Sequence, residues 1–433
     1  MVQVAGGGLA WSAMPSASGA LPQSYRSDDL SRHGTAPARV VSHPATATSL
    51  AVIAFGHVRA SRWQVLREWP PGYGGIERVA HDLALRWMAP VYSLDVLHRG
   101  GAVTAAGLPD PLPVTYPRRR LPSLVLGRLA LPLPGAMFWR LVLAREPLHG
   151  HLPSPEVLML VVLCRLLRPR RRVSVHWHAF LHEEAGLQGR CFALYQRVAL
   201  WLLPCLHEVI TTSPVLAAEL VRCGCPAERV RILPCCLEAA FERAALALPQ
   251  QLSAPDQALQ VLFIGRLDSY KRLDWLISAL ASLTEDWALT VVGEGPRRDC
   301  FQRQADDLPV RFLGRVDEET KLRCLAQADL LVLPSDRSNE AFGIVQLEAM
   351  AAAVPALAFG MPRSGMGWVG RLPALRWSQR PEDLAEMVQR LACNRRLLAQ
   401  AAVQARARYQ ERFSREVWEA QLRRIETGAS PAG

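Results

Sequence analysis

Apolar positions along this chain fall into two alternating patterns. Short stretches that are apolar at nearly every position, such as VLFIG, ALTVVG, VRFLG and ADLLVLPS, suit strands covered on both faces of a sheet. Between them lie stretches with helical spacing: KRLDWLISALASL, RRDCFQRQADD, EETKLRCLAQA and FGIVQLEAMAAA. The same rhythm runs more faintly through the first half. A strand is expected at LAVIAFGHV (50–58), a glycine loop and helix at PPGYGGIERVAHDLALRW, and a strand near VYSLDVLH. Further strands are expected at RRVSVHWH and EVITTS, each followed by helical spacing, and the end of the chain from PEDLAEMVQRL to REVWEAQLRRI reads as helix. Such alternation predicts an α/β protein with parallel, doubly wound sheets.

The rhythm breaks at 238–258, EAAFERAALALPQQLSAPDQA, which has no strand pattern and contains Pro and polar residues. A chain of 433 residues also exceeds what one core usually serves. The expected organisation is a disordered tail over 1–48, rich in Gly, Ala, Ser and Pro, followed by a first Rossmann-like domain over 49–240. A second would occupy 250–410, with a helix and tail over 411–433.

Charge widens the field of partners. Lys and Arg number 50 against 39 Asp and Glu, a formal surplus of +11 that attracts nucleic acid, anionic lipid or phosphorylated substrates. The runs PRRRLPS and RLLRPRRR read as solvated faces; neither interleaves aromatics as a nucleic-acid platform would, so no nucleic acid is expected. Their functional alternative is contact with an anionic membrane or a lipid-linked acceptor. VLMLVVLC is stopped by Arg165, and LPSLVLGRLALPLPGAMFW is broken by Arg128 and several prolines, so neither is a membrane span. No charged, apolar leader is evident. The ten cysteines include no C-x-x-C and no zinc-type spacing, and many, like Cys164, stand in apolar company. Buried reduced thiols in a cytoplasmic protein, at most peripheral at the inner membrane face, are expected, with no metal.

The chemistry concentrates in DLLVLPSDRSNEAFGIVQLEAMA. Glu340 follows a strand, at the carboxyl edge where open α/β sheets bind ligands. Glu348 lies eight positions on, expected two turns into a helix opened by the amides of Phe342, Gly343 and Ile344. Such a helix start suits phosphate, and Gly343 lets backbone approach a ligand. Two carboxylates flanking an anion site match a diphosphate ester with hydroxyl-bearing groups on both sides. In FIGRLDSYKRLDWL, Arg266 and Lys271 follow another strand, and at about 4 Å each is worth roughly 4 kcal/mol against a unit charge before desolvation. That help grows as a leaving group gains charge.

Together GRLDSYK, VVGEGP, RFLGRV and EAFGIVQLE resemble the signature of the group 1, family 4 retaining glycosyltransferases, which have the GT-B fold. The resemblance implies two Rossmann-like domains facing across a cleft, with a nucleotide-diphosphate sugar as co-substrate and no separate cofactor. By the same resemblance Glu340 meets donor sugar hydroxyls, Glu348 the ribose, Arg266 and Lys271 the diphosphate, and Arg315 with Val316 the base. In the first half, GYGGIERVAHDLA resembles the early glycine loop, bringing Gly74 and Gly75 to the donor phosphates or the acceptor. VSVHWHAF resembles the strand end whose histidine lies beside the transferred sugar, aligned with His178 and, in reserve, His176. The segment HGHLPSP (149–155) reads as a loop without a role. Two departures stand out: Cys235-Cys236 replaces the usual Asn-Gly, and FGMPRSGMGW replaces the usual loop after the second glutamate.

The implied activity is hexose transfer to a glycan or lipid-linked acceptor in cell-envelope polysaccharide synthesis, with GDP-mannose as the leading donor and a UDP-sugar as the alternative. Two other classes remain. A glycoside hydrolase would also use two carboxylates, but it has no reason to surround a leaving group with Arg, Lys and a helix start. A non-catalytic nucleotide-sugar binder would keep the same fold.

Overall fold

The computed structural model describes residues 61–68, 74–96, 114–126, 129–182, 186–249, 252–254 and 256–428, all within one compact unit, Val58–Gly433. The expected strand at 50–58 and the expected tail over 1–48 lie outside the described residues.

The first half opens with β1 (Trp63–Leu66), α1 (Gly75–Trp87) and β2 (Val91–Val96). A hairpin of β3 (Arg118–Leu126) and β4 (Leu129–Pro132) follows, then α2 (Ala136–Leu143), β5 (Leu148–Leu152), α3 (Pro155–Leu167) and β6 (Val173–Trp177). This half closes with α4 (Gly186–Leu202), β7 (Glu208–Thr211), α5 (Pro214–Arg222) and β8 (Val230–Ile232). Its eight strands run in the order β4-β3-β2-β1-β5-β6-β7-β8, parallel except for the antiparallel β3–β4 pair. Helix starts follow a local grammar. Ser154-Pro155 and Ser213-Pro214 each place a serine whose hydroxyl accepts an amide of the first turn, and a proline where no N–H is needed.

After α6 (Ala239–Ala247) the second sheet begins with β9 (Leu259–Ile264), α7 (Leu273–Ala281), β10 (Trp287–Val292) and α8 (Arg298–Gln304). It continues through β11 (Val310–Gly314), α9 (Glu318–Gln327), β12 (Leu330–Leu333), α10 (Val345–Ala351) and β13 (Ala356–Ala358). The strand order is β11-β10-β9-β12-β13, all parallel. The short α11 (Met366–Val369) precedes α12 (Leu384–Cys393), α13 (Arg395–Arg412) and α14 (Arg415–Thr427).

One apolar core passes through both sheets, from Trp63 and Trp177 to Phe263, Phe359 and Tyr409. The last helix returns to the first half. Arg415 reaches Asp82 at 2.6 Å and the Leu237 carbonyl at 2.6 Å, while Trp87 Nε1 donates to Glu426 at 2.8 Å. Glu242 of α6 accepts from both the Tyr409 hydroxyl and the Arg415 amide, each at 2.8 Å.

Several expectations are corrected. HGHLPSP begins inside strand β5, because His149, His151 and Leu152 are buried between neighbouring strands and not left on a loop. PRRRLPS enters β3, a strand that was not expected, with Leu121 fully buried, Arg118 and Arg119 half-buried and Arg120 exposed. The boundary stretch 238–258 holds a helix, since Glu238 caps it and Phe241 and Ala245 bury one face. A strand absent from the expectation, WQVL at β1, is fully buried. Of the cysteines, all free, Cys191, Cys205 and Cys393 are exposed, so thiol burial is not general.

Candidate functional site

Chain order reverses once in the second sheet, between β9 and β12, the place where open α/β sheets bind ligands, and the loops leaving those strands meet there. The Asp336 amide donates to the Tyr270 carbonyl at 3.0 Å, joining the two loops. Lys271 and Glu340 form an ion pair across them, both largely buried. Burial alone would lower the lysine pKa, but the Glu340 carboxylate and Tyr270 outweigh it and hold the ammonium charged.

Glu348 follows on α10, 3% exposed. Its Oε1 accepts from Lys321 Nζ of α9 at 2.9 Å and lies 3.4 Å from an Arg78 guanidinium nitrogen of α1. Among the described residues its Oε2 has no partner. Burial raises this carboxyl's pKa, yet Lys321 and Arg78 together hold it below the usual range. The helix itself is shorter than expected. It begins at Val345, with Ile344 as its cap and Gly343 left-handed at φ 72°, so Glu348 stands in the first turn and not two turns in. A β-carbon on Gly343 would collide with the Leu333 side chain, which explains the glycine. Phe342 is buried, and its carbonyl accepts from Gln346 Nε2 at 2.9 Å.

Besides Arg78, the first half meets this segment at two further places. Gly74 caps α1 and Gly75 opens it; a β-carbon on Gly75 would stand 3.7 Å from Ile344 Cδ1. Past the end of β6, His182 N donates to Asn339 Oδ1 at 3.1 Å, beside Glu340. His178 lies in the intervening loop, its amide bonded to the Leu152 carbonyl at 2.9 Å. The structure thus gathers Gly75, Lys271, Glu340, Phe342, Gly343, Ile344 and Glu348 around the β12–α10 segment, with His178 four residues from the loop that touches it. Arg266 and Arg315 sit on neighbouring loops of the same sheet edge, tied through Leu267 N to Glu294 O at 3.0 Å and Gly293 N to Gly314 O at 2.8 Å. Arg266 is mostly exposed and lies 3.6 Å from Asp268; Arg315 is exposed and Val316 half-buried. Among the described residues no ion pair links either arginine to the two glutamates.

His178 packs with three further imidazoles, those of His149, His151 and His176. His176 and His178 stack at 4.2 Å between centroids, and His151 stacks on His178 at 5.2 Å with His149 edge-on to His151. Burial drives all four pKa values down, His176 to about 3, so the rings are neutral. Arg78, Lys321, Gln64 and His151 were not expected from sequence. Arg78 lies three residues past the glycine pair and Lys321 ends the run EETK, so position was the only available signal. Among the described residues no group of three His, Cys, Asp or Glu converges as a metal-ligand set, and no helix is long and apolar enough to cross a membrane.

Two largely parallel α/β sheets, each with one strand-order reversal and with charged loops at the second, define a two-domain Rossmann-type protein of the GT-B fold. Comparison with known proteins gives the family. Residues 246–366 match the glycosyl transferases group 1 and residues 73–241 match glycosyltransferase family 4, together about two thirds of the chain. The chain belongs to the group 1 glycosyltransferases of family 4 type.

Among curated proteins it is 37% identical over 112 residues to an uncharacterized glycosyltransferase of Methanocaldococcus jannaschii, covering 24% of this chain and 28% of that one. It is 38% identical over 112 residues to a GDP-mannose-dependent alpha-(1-6)-phosphatidylinositol dimannoside mannosyltransferase of Mycobacterium tuberculosis, covering 25% and 29%. The matches thus span less than a third of those relatives' length. The fold is similar to that of Anabaena HepE, solved in complex with UDP and glucose, with a TM-score of 0.63 at 19% identity over 85% of this chain and 99% of that one.

Proposed function

We propose that this chain transfers a hexose, with retention of anomeric configuration, from a nucleotide-diphosphate sugar to a glycan or lipid-linked acceptor in cell-envelope polysaccharide synthesis. The observation that carries the reading is the Lys271–Glu340 pair at the β9/β12 reversal, with Glu348 one helical turn beyond and its Oε2 unpartnered among the described residues. A buried carboxylate oxygen without a donor suits a ligand hydroxyl, and a charged lysine beside it suits a diphosphate. In this reading Glu340 meets the sugar, Glu348 the ribose, Lys271 and Arg266 the diphosphate, and Arg315 and Val316 flank the base. Gly74 and Gly75 approach the phosphates or acceptor, and His178 lies beside the sugar. The bond from the anomeric carbon to phosphate breaks as the acceptor oxygen bonds to the same face, and the acceptor proton passes to the departing phosphate oxygen. No metal is assigned a role.

GDP-mannose is the leading donor, supported by the mannosyltransferase among the relatives; a UDP-sugar is the alternative, supported by the UDP-bound structural neighbour. A lipid-linked acceptor at a membrane's inner face is supported by α4, whose Leu187, Leu194 and Trp201 stay exposed beside exposed Arg190 and Arg197. A melting-temperature screen with GDP-mannose, UDP-glucose and ADP-glucose tests the donor, since a ligand bound only by the native state raises the melting point. Glu340→Ala should abolish transfer with the fold retained; undiminished turnover would remove the assignment. Tight donor binding with no turnover on any acceptor would instead identify a non-catalytic binder.

A further inference from the structure

The first sheet also reverses its chain order once, between β1 and β5, and a chain of polar side chains crosses that point. Gln64 of β1 is fully buried. Its Nε2 donates to the Ala80 carbonyl at 3.2 Å, and its Oε1 lies 2.8 Å from His151 Nε2 on β5. His151 Nδ1 in turn lies 2.9 Å from His178 Nε2, just past β6.

The direction of each hydrogen bond follows from the first. A carbonyl oxygen only accepts, so Gln64 must turn its nitrogen to Ala80; the flipped amide would set two acceptors face to face. Gln64 Oε1 is therefore the acceptor and His151 Nε2 carries hydrogen. Burial among other imidazoles keeps His151 neutral, its pKa well below the ordinary value. A neutral ring has one N–H, so His151 Nδ1 is bare and must accept. His178 Nε2 then carries the hydrogen, and Nδ1 is its lone pair.

We propose that Gln64 and His151 are positioning residues that hold His178 as the Nε2–H tautomer and leave Nδ1 as its acceptor. This rests on the reading that His178 lies beside the transferred sugar and deepens it. A neutral nitrogen that only accepts pairs with a hydroxyl and not with a phosphate oxygen, so His178 recognises a sugar hydroxyl while the diphosphate is left to the cations of the second sheet.

The test is nitrogen NMR of the full chain with labelled histidine, the His178 signal identified by its loss in His178→Ala. The expected result is protonated Nε2 and bare Nδ1 in the wild-type protein. Gln64→Met removes the acceptor at similar size, and should populate both tautomers and lower kcat about ten- to hundredfold with donor KM little changed. A hydrogen on Nδ1 in the wild type overturns the proposal even where Gln64→Met does not fold. Unchanged tautomer populations or unchanged kcat in Gln64→Met also overturn it, because a merely structural Gln64 would shift only the melting temperature. Full turnover in His178→Ala would sink the catalytic reading of His178 alone, since the tautomer measurement needs no activity.

Discussion

Both sheets reverse their strand order once, yet the two reversal points carry opposite chemistry. Between β1 and β5 the groups are an amide and neutral imidazoles, buried and joined by directional hydrogen bonds. Between β9 and β12 they are ions: Lys271 with Glu340, and next to them Lys321 and Arg78 with Glu348. The contrast follows from what each side would meet. Ions respond to charge that builds on a departing diphosphate, whereas neutral groups of fixed direction discriminate among hydroxyls without attracting phosphate.

Breaking the charged side should have the largest effect. Lys271→Met removes the cation at that reversal point and leaves Glu340 unpaired; kcat for transfer should fall by about 10²–10³-fold. Activity near wild type would show that the ion pair is only structural. Glu348→Leu comes next. It removes the more buried of the two carboxylates on Lys321, whose other partner Glu318 stays at 2.9 Å, and should cost about 2 kcal/mol of folding stability in urea unfolding. The pH dependence has a definite sign. The folded pKa of Glu348 lies below its ordinary value of 4.5, so its contribution is complete above pH 4.5 and is lost as pH falls through the depressed value.

The neutral side should lose stability in the same direction but from a higher pH, the signature of a base held uncharged. His176 is fully buried, neither ring nitrogen has a partner among the described residues, and its pKa is about 3 against an ordinary 6.5. The unfolded chain takes up a proton below pH 6.5 that the folded chain refuses until about 3, so stability falls as pH drops across that window. At pH 5 the loss from this one group is of order 2 kcal/mol. His176→Phe, of similar shape, should flatten the stability curve between pH 6.5 and 4 relative to wild type. An unchanged slope would mean that the ring is not held neutral.

The second sheet was the more legible in sequence because its strands are apolar throughout and its loops carry the motif. Four of its five strands and the helices between them fall where the periodicity places them; α10 starts late, and the three-residue β13 was not expected. The reason for the late start is local: Gly343 must be left-handed against Leu333, a steric demand that spacing does not encode. The first half was harder for a chemical reason. Its buried strand β5 is LHGHL, and neutral histidines inside a sheet look in sequence like polar loop residues. Gln64 was missed for the same cause. Arg78 and Lys321 converge on Glu348 from separate helices, far apart in the chain, so no local pattern could pair them with it.

Arg78 offers the finest test of the contrast, since it is the cation that the first half lends to the charged side. It lies 3.4 Å from Glu348 and 3.6 Å from Glu318, with about a third of its side chain exposed, whereas Lys321 sits 2.9 Å from the same carboxylate and is nearly buried. A half-exposed pair at the longer distance contributes little, so Arg78→Ala should change folding stability by less than about 1 kcal/mol. Double-mutant cycles should then give a coupling to Glu348 that is clearly larger for Lys321 than for Arg78. Equal couplings would mean that Glu348 draws as much on the first half as on its own sheet, and the division between a charged and a neutral side would lose its force.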